Sequence, residues 1–227
     1  MATGSATWSK LIEALKRNNW LKISQFSALV PARCTLCTAP VTARVLCADC
    51  IADLPWRAHT PVRMDGRLQC HASFRYEFPI VECIGRGKLA GDPGLMTLLG
   101  ELMAGRAPVS GEDFDLVCAI PLPYWRGVRR GYNQALEIGR PIARMLGLPV
   151  LDVLERRGGL PTQRGLARRA RLRNLEGAFQ ASPCVAGRRV LLVDDVTTTG
   201  TTMRLAARAL RAAGAVEVTG WAAAAVD

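Results

Sequence analysis

The sequence predicts an α/β fold, a mostly parallel sheet flanked by helices, preceded by a small cysteine module. Three observations carry this reading. Strand-like and helix-like runs alternate from about residue 111 onward, residues 190–193 are apolar without interruption, and Cys34, Cys37, Cys47 and Cys50 fall in two tight pairs. Such alternation favours βαβ units, and a strand covered by helices on both faces needs an unbroken apolar run.

Taken in order, residues 7–29 place Trp8, Leu11, Ile12 and Leu15 at helical spacing, which predicts an amphipathic N-terminal helix. The cysteine module follows, then a stretch punctuated by Pro and Gly with strand-like fragments to about Ile84. Residues 95–103 read as a helix. A strand over 114–120 is stopped by Pro121 and Pro123, and a loop carrying Arg126, Arg129, Arg130 and Gly131 comes next. Residues 134–146 read as a helix bent or interrupted near Gly139 and Pro141, and 150–154 as a strand. Residues 189–193 form the next strand, 203–213 a helix stopped by Gly214, and 216–222 a further strand. A boundary near residue 110 divides the chain into 1–110, with the helix and the cysteine module, and 111–227, the α/β domain.

The 227 residues are enough for one large or two small domains, and the cysteine pattern favours two. Formal net charge is +11, and because Lys occurs only at positions 10, 16, 22 and 88, Arg supplies the remaining 26 of 30 basic residues. This charge suits an anionic ligand or nucleic acid, and equally a solvated basic surface. No run of about 18 apolar residues is present, and the first 30 residues lack the pattern of a signal peptide. The expectation is a cytoplasmic protein with no membrane insertion.

Two Cys-x-x-Cys pairs separated by nine residues bring four thiols to one tetrahedral ion. Zinc is the favoured occupant, and four thiolates leave no open catalytic position, so the predicted role is structural. Disulfides, which suit secreted chains, and an iron–sulfur cluster are the competing readings. Cys70, Cys83, Cys118 and Cys184 have no comparable pairing, and a free Cys is often just a small buried hydrophobe. Cys118 falls in an expected core strand and is assigned no chemistry, Cys70 with His71 reads as structural with a supplementary metal site as the alternative, and His59 and His71 lack a visible acid–base partner.

After residues 190–193 come Asp194, Asp195, Thr197, Thr198, Thr199, Gly200, Thr201 and Thr202, leading into a helix. Ligands of open α/β sheets bind at the carboxyl ends of strands, and a helix N-terminus directs N–H groups at an anion. Gly200 permits close approach, the Thr hydroxyls can donate to phosphate oxygens, and the carboxylates can accept from two sugar hydroxyls. A ribose 5-phosphate site is therefore expected; a plain helix cap is the alternative.

This run resembles the PRPP-binding motif of type I phosphoribosyltransferases through Asp194, Asp195, Thr198, Thr199, Gly200 and Thr202. Further blocks extend the likeness: Pro31-Ala-Arg-Cys34, Ile80-x-x-Cys-Ile84 with Lys88, Pro121-Leu-Pro123, Arg130-Gly-Tyr-Asn-Gln134, Gln163, and Arg173-Asn174 through Ala178-Phe179. Together they resemble the ComF (competence protein F) family from about Val30 onward. Tyr132 stands where that family commonly has Phe, and Leu160 where it commonly has Thr.

The resemblance implies a type I phosphoribosyltransferase-like sheet, with PRPP held by Asp194, Asp195 and 197–202 and the two acids in the catalytic role. It further implies a pyrophosphate-receiving loop of Pro121, Leu122 and Pro123 with Arg126, Arg129 and Arg130, and Mg²⁺ arriving with PRPP. The Arg-rich stretch 156–173 would be either a closing loop or a solvated basic helix. The family's role implies DNA uptake in natural competence, with single-stranded DNA and competence-machinery proteins as partners. Two activities stay open: phosphoribosyl transfer to an unidentified acceptor, or PRPP sensing and DNA binding without catalysis.

Overall fold

The computed structural model describes residues 32–34, 36–41, 46–58, 61–64, 68–90, 92–123, 127–128, 131–157 and 177–226. The expected N-terminal helix, His59, Arg126, Arg129, Arg130, and most of the Arg-rich stretch, residues 158–173, lie outside the described residues. Two compact units divide after Asp53. Residues 54–110, grouped with the cysteine module in the sequence reading, thus fall in the second unit, because the strand Leu68–Arg75 within them pairs with the sheet.

In the first unit, β1 (Ala32–Arg33) and β2 (Pro40–Val41) form an antiparallel pair, and α1 (Ala48–Ala52) follows. The turn between the strands is closed by Cys34 N–H donating to Ala39 O at 2.7 Å and Thr38 N–H to Cys34 O at 2.9 Å. Cys47 caps α1, its sulfur accepting from Cys50 N at 3.4 Å. Each Cys pair therefore flanks a tight backbone turn.

The second unit is built on a sheet of order β3-β4-β9-β8-β5, with β3 Val62–Met64, β4 Leu68–Arg75, β5 Leu116–Ala119, β8 Arg189–Thr197 and β9 Glu217–Ala225. The pairs β4–β9, β9–β8 and β8–β5 are parallel, and β3 is an antiparallel edge. Helices α2 (Ile80–Ala90), α3 (Pro93–Ala104) and α4 (Gln134–Leu146) pack as one layer; α5 (Thr201–Ala212) packs with the β6–β7 ribbon (Leu154–Arg156, Phe179–Ala181). Side chains alternate accordingly. Val190 and Leu192 join Leu116, Cys118, Met203, Ala206 and Leu210 in the α5-side core, whereas Val193 and Val117 meet α4 at Gly139. Val190 to Val193 are all fully buried, as a strand covered on both faces requires.

Several expected boundaries shift for physical reasons. The strand expected over 150–154 is only a bridge from Val150 to Val117, and pairing resumes at Leu154 with a different partner, β7. Residues 80–90 are helical where strand-like fragments were expected to run to Ile84. The helix expected to bend near Gly139 and Pro141 runs unbroken from Gln134 to Leu146. It is capped by Asn133 and ends at Gly147 in the left-handed conformation, φ 70°. Buried packing of Ile138, Pro141 and Ile142 outweighs the single backbone bond that Pro cannot make. Among the described residues no helix is long and apolar enough to cross a membrane.

Candidate functional site

Strand β8 outruns its neighbour on one side. Its pairing with β5 ends at Val193, where Ile120 N–H donates to Val193 O at 2.9 Å, but its pairing with β9 continues to Thr197. Asp194 and Asp195 thus stand on an overhang, supported from one edge only. The helix after β5 lies on one face and the helix after β8 on the other, so the overhang borders the switch point at which open α/β sheets bind ligands. A cleft of about 160 Å³ opens there, walled by residues 120–123 after β5, 133–135 at the start of α4, Lys88, Arg156, Asp194, Asp195 and Thr202.

Strand alternation puts Asp194 on the α5 side, with Leu192, and Asp195 on the α4 side, with Val193. Asp194 Oδ1 accepts from Asp195 N–H at 2.8 Å. Burial and then the adjacent Asp195 charge push the Asp194 carboxyl well above the usual carboxylate range; that backbone bond and Lys88 oppose the shift. Asp195 Oδ2 is 2.9 Å from Lys88 Nζ, in the last turn of α2.

Beyond the strand, Gly200 is the N-cap of α5 at φ 69°, with no side chain capping the helix. A Cβ there would run into the Met64 thioether. The uncapped N-terminus leaves backbone donors for an anion. Thr199 and Thr201 hydroxyls lie 2.9 Å apart, and Arg204 donates to Thr201 Oγ1 at 3.1 Å. Thr198 and Thr199 are exposed, Thr201 and Thr202 half-buried. Thr197 differs: its hydroxyl is buried and makes no hydrogen bond in the protein.

On the facing wall, Pro121, Leu122 and Pro123 follow β5 and are held by Asn133, whose Nδ2 donates to Ile120 O at 3.0 Å while its Oδ1 accepts from Ala135 N–H. The Arg156 guanidinium lies 5.3 Å from the Phe179 ring centre. The structure therefore gathers Asp194, Asp195, Thr202 and Pro121 to Pro123 around one cleft. Sequence reasoning gave no role in this cleft to Lys88, Asn133 or Gln134; all three fall within the family-like blocks, Lys88 far from the other two in the chain. The arrangement suits a ligand with a diol flanked by anions: carboxylates for the hydroxyls, a helix N-terminus on one side, and cations on the other.

The four cysteine sulfurs form a second cluster, all within 4.8 Å of one another, with Cys37 and Cys47 sulfurs 3.6 Å apart. Four thiolates at Zn–S distances of about 2.3 Å would be roughly 3.8 Å apart, so the cluster can hold a metal ion. Burial opposes ionisation of Cys34, but backbone N–H groups of Cys37, Cys47 and Leu36 outweigh it and bring the thiol down to about 6. Its sulfur neighbours, Cys37 foremost, push Cys50 up. Cys37 is also raised: a backbone hydrogen bond at Ala39 favours its thiolate, but Cys34 and Cys47 overcome it. Cys70 and Cys118 are buried in the sheet, which pushes each up to about 12.

Residues 132–223 match the phosphoribosyl transferase domain family. The chain is 38% identical over 111 residues to competence protein F of Haemophilus influenzae, covering 47% of this chain and 48% of that one. It is 35% identical over 125 residues to the DNA utilization protein YhgH of Escherichia coli K12, covering 55% of each. With competence protein ComFC of Bacillus subtilis it shares 27% identity over 182 residues, 78% of this chain and 70% of that one. The chain thus spans about half the length of the first two relatives. The two acids of the switch-point cleft lie within the matched segment; over residues 132–223 the chain is similar to phosphoribosyl transferase domains, and over about half its length it is similar to competence protein F.

Proposed function

We propose that the second unit binds PRPP with Mg²⁺ and transfers its phosphoribosyl group to an acceptor, in support of the uptake or use of DNA. The observation that carries this is that the diacid overhang of β8 and the first turn of α5, a helix with no side-chain cap, line one small cleft. In this reading the 5-phosphate sits on residues 198–202 and the ribose hydroxyls on Asp194 and Asp195, so binding energy remote from C1 orients C1 for attack. The loop of Pro121, Leu122 and Pro123, with Arg126, Arg129 and Arg130, receives the pyrophosphate. An acceptor lone pair forms the new bond to C1 as the C1–O bond breaks, and pyrophosphate leaves with that electron pair.

Two adjacent carboxylates beside a phosphate-sized cleft fit Mg²⁺, which is usually held by one or two carboxylates plus ligand phosphates. Asp194 and Asp195 would hold it, and it would neutralise charge on the leaving pyrophosphate. Zinc is the proposed occupant of Cys34, Cys37, Cys47 and Cys50, with a structural role. A cytoplasmic location is part of the same proposal. The names of the relatives and the net charge of +11 support single-stranded DNA and competence-machinery proteins as partners.

The test is calorimetry with PRPP and Mg²⁺ on wild type and on Asp194→Asn with Asp195→Asn. Each charge-assisted hydrogen bond lost should cost about 1.5–3 kcal/mol of binding, without strict additivity, while metal content persists and the chain stays folded. Unchanged affinity in the folded double variant would overturn the assignment. A pyrophosphate-release screen across acceptors then separates transfer from PRPP sensing, in which binding occurs without release.

A further inference from the structure

Of the two cations that line the cleft, Arg156 lies within the matched segment 132–223 and Lys88 lies outside it. Lys88, on α2, is the one lysine among the described residues, and it reaches 2.9 Å from Asp195 while lining the cleft. Building on the function proposed above, we infer that Lys88 sets the ligand specificity of the cleft. One of its N–H groups holds Asp195, and the others receive a second anion on the sugar, at the end opposite the 5-phosphate.

Three observations point there. First, an ammonium has three donors and Asp195 takes one, leaving two for a ligand oxygen. Second, the two charged ends lie on opposite faces of the strand. The α5 N-terminus belongs to the face of Leu192 and Asp194, and Lys88 comes from the helical layer on the face of Val193 and Asp195. A ligand whose diol meets both acids thus has one end at α5 and the other at Lys88.

Third, the backbone that carries Lys88 is fixed. The Tyr132 hydroxyl donates to the carbonyl of Gly87, the residue just before Lys88, tying α2 to the segment that opens α4. Gly87 itself lies so close to Met96 on α3 that a Cβ would collide with it, and Ile80 and Ile84 are fully buried. The Lys88 side chain is 26% exposed, so its charge is only partly screened by water. Without it, a pyrophosphate would approach Asp195 with that carboxylate's paired cation gone.

A merely structural ion pair would weaken every sugar phosphate alike. A specificity role weakens only the ligand with the second anion. The experiment is calorimetry on the full metal-loaded chain with Mg²⁺, using PRPP and ribose 5-phosphate as probes and the ratio of their dissociation constants as readout. Lys88→Gln should lower the preference for PRPP at least about tenfold, with ribose 5-phosphate affinity moving less than about threefold. Tyr132→Phe should shift the ratio in the same direction by a smaller amount, and it carries the test if Lys88→Gln does not melt like wild type. An unchanged ratio overturns the inference while leaving PRPP binding intact; wild type that binds neither probe overturns the underlying function and this inference with it.

Discussion

At Asp194, burial and the neighbouring Asp195 charge hold the carboxyl well above its ordinary range. A carboxyl raised by folding contributes stability that is complete below the unfolded value of about 3.9 and is lost as pH rises through the folded value. Asp194→Asn removes that loss. The ligand-free variant should therefore melt above wild type at about pH 8, and the gap should close as pH falls toward about 4, while PRPP binding weakens throughout. Melting curves at stepped pH check this, and a gap independent of pH would contradict it. Site and stability are then opposed at one residue, as at many functional positions. Asp194, Asp195 and Gly200 were legible in the sequence because they sit in one contiguous run whose chemistry is local. Lys88 was not legible as a site residue, since its partnership with Asp195 exists only once α2 has docked beside β8.

Among the elements, the helix pair α3–α4 rests on a close crossing. A Cβ on Gly100 of α3 would strike the backbone carbonyl of Ile138 on α4, which cannot swing aside as a side chain could. Gly100→Ala should destabilise the second unit by about 1–3 kcal/mol, measured by urea unfolding. Gly200→Ala acts at the start of α5, where φ is 69° and Met64 fills the space. It should cost about 1–2 kcal/mol through the left-handed backbone, and should weaken phosphate binding as well. Retained affinity in Gly200→Ala would place the phosphate elsewhere. The core strands could be read from their apolar runs, Val190 to Val193 above all. The unbroken α4 and the lone bridge at Val150 could not: tertiary packing decides the first, and a change of pairing partner from β5 to β7 decides the second.

Over the whole molecule, the division into units separates two sources of stability. If the proposed metal is bound, a strong chelator should remove it and expose the thiols of Cys34, Cys37, Cys47 and Cys50 to titration, while the thermal transition of the sheet unit persists. Metal binding displaces thiol protons, and because Cys37 and Cys50 hold theirs more tightly than an ordinary cysteine, metal affinity should fall as pH is lowered. A pH-independent affinity would exclude thiolate coordination. The division after Asp53 was not legible in the sequence, because the pairing of β4 with β9 joins residues far apart in the chain. That pairing also sets a timetable. Strand β9 follows every other strand in the chain yet lies between β4 and β8, so a ribosome making about 5–20 residues per second releases β4, α2 and α3 well before their central partner exists. Until residues 217–225 emerge, the inner edge of β4 is an open, apolar template of the kind that chaperones shield and that aggregates recruit.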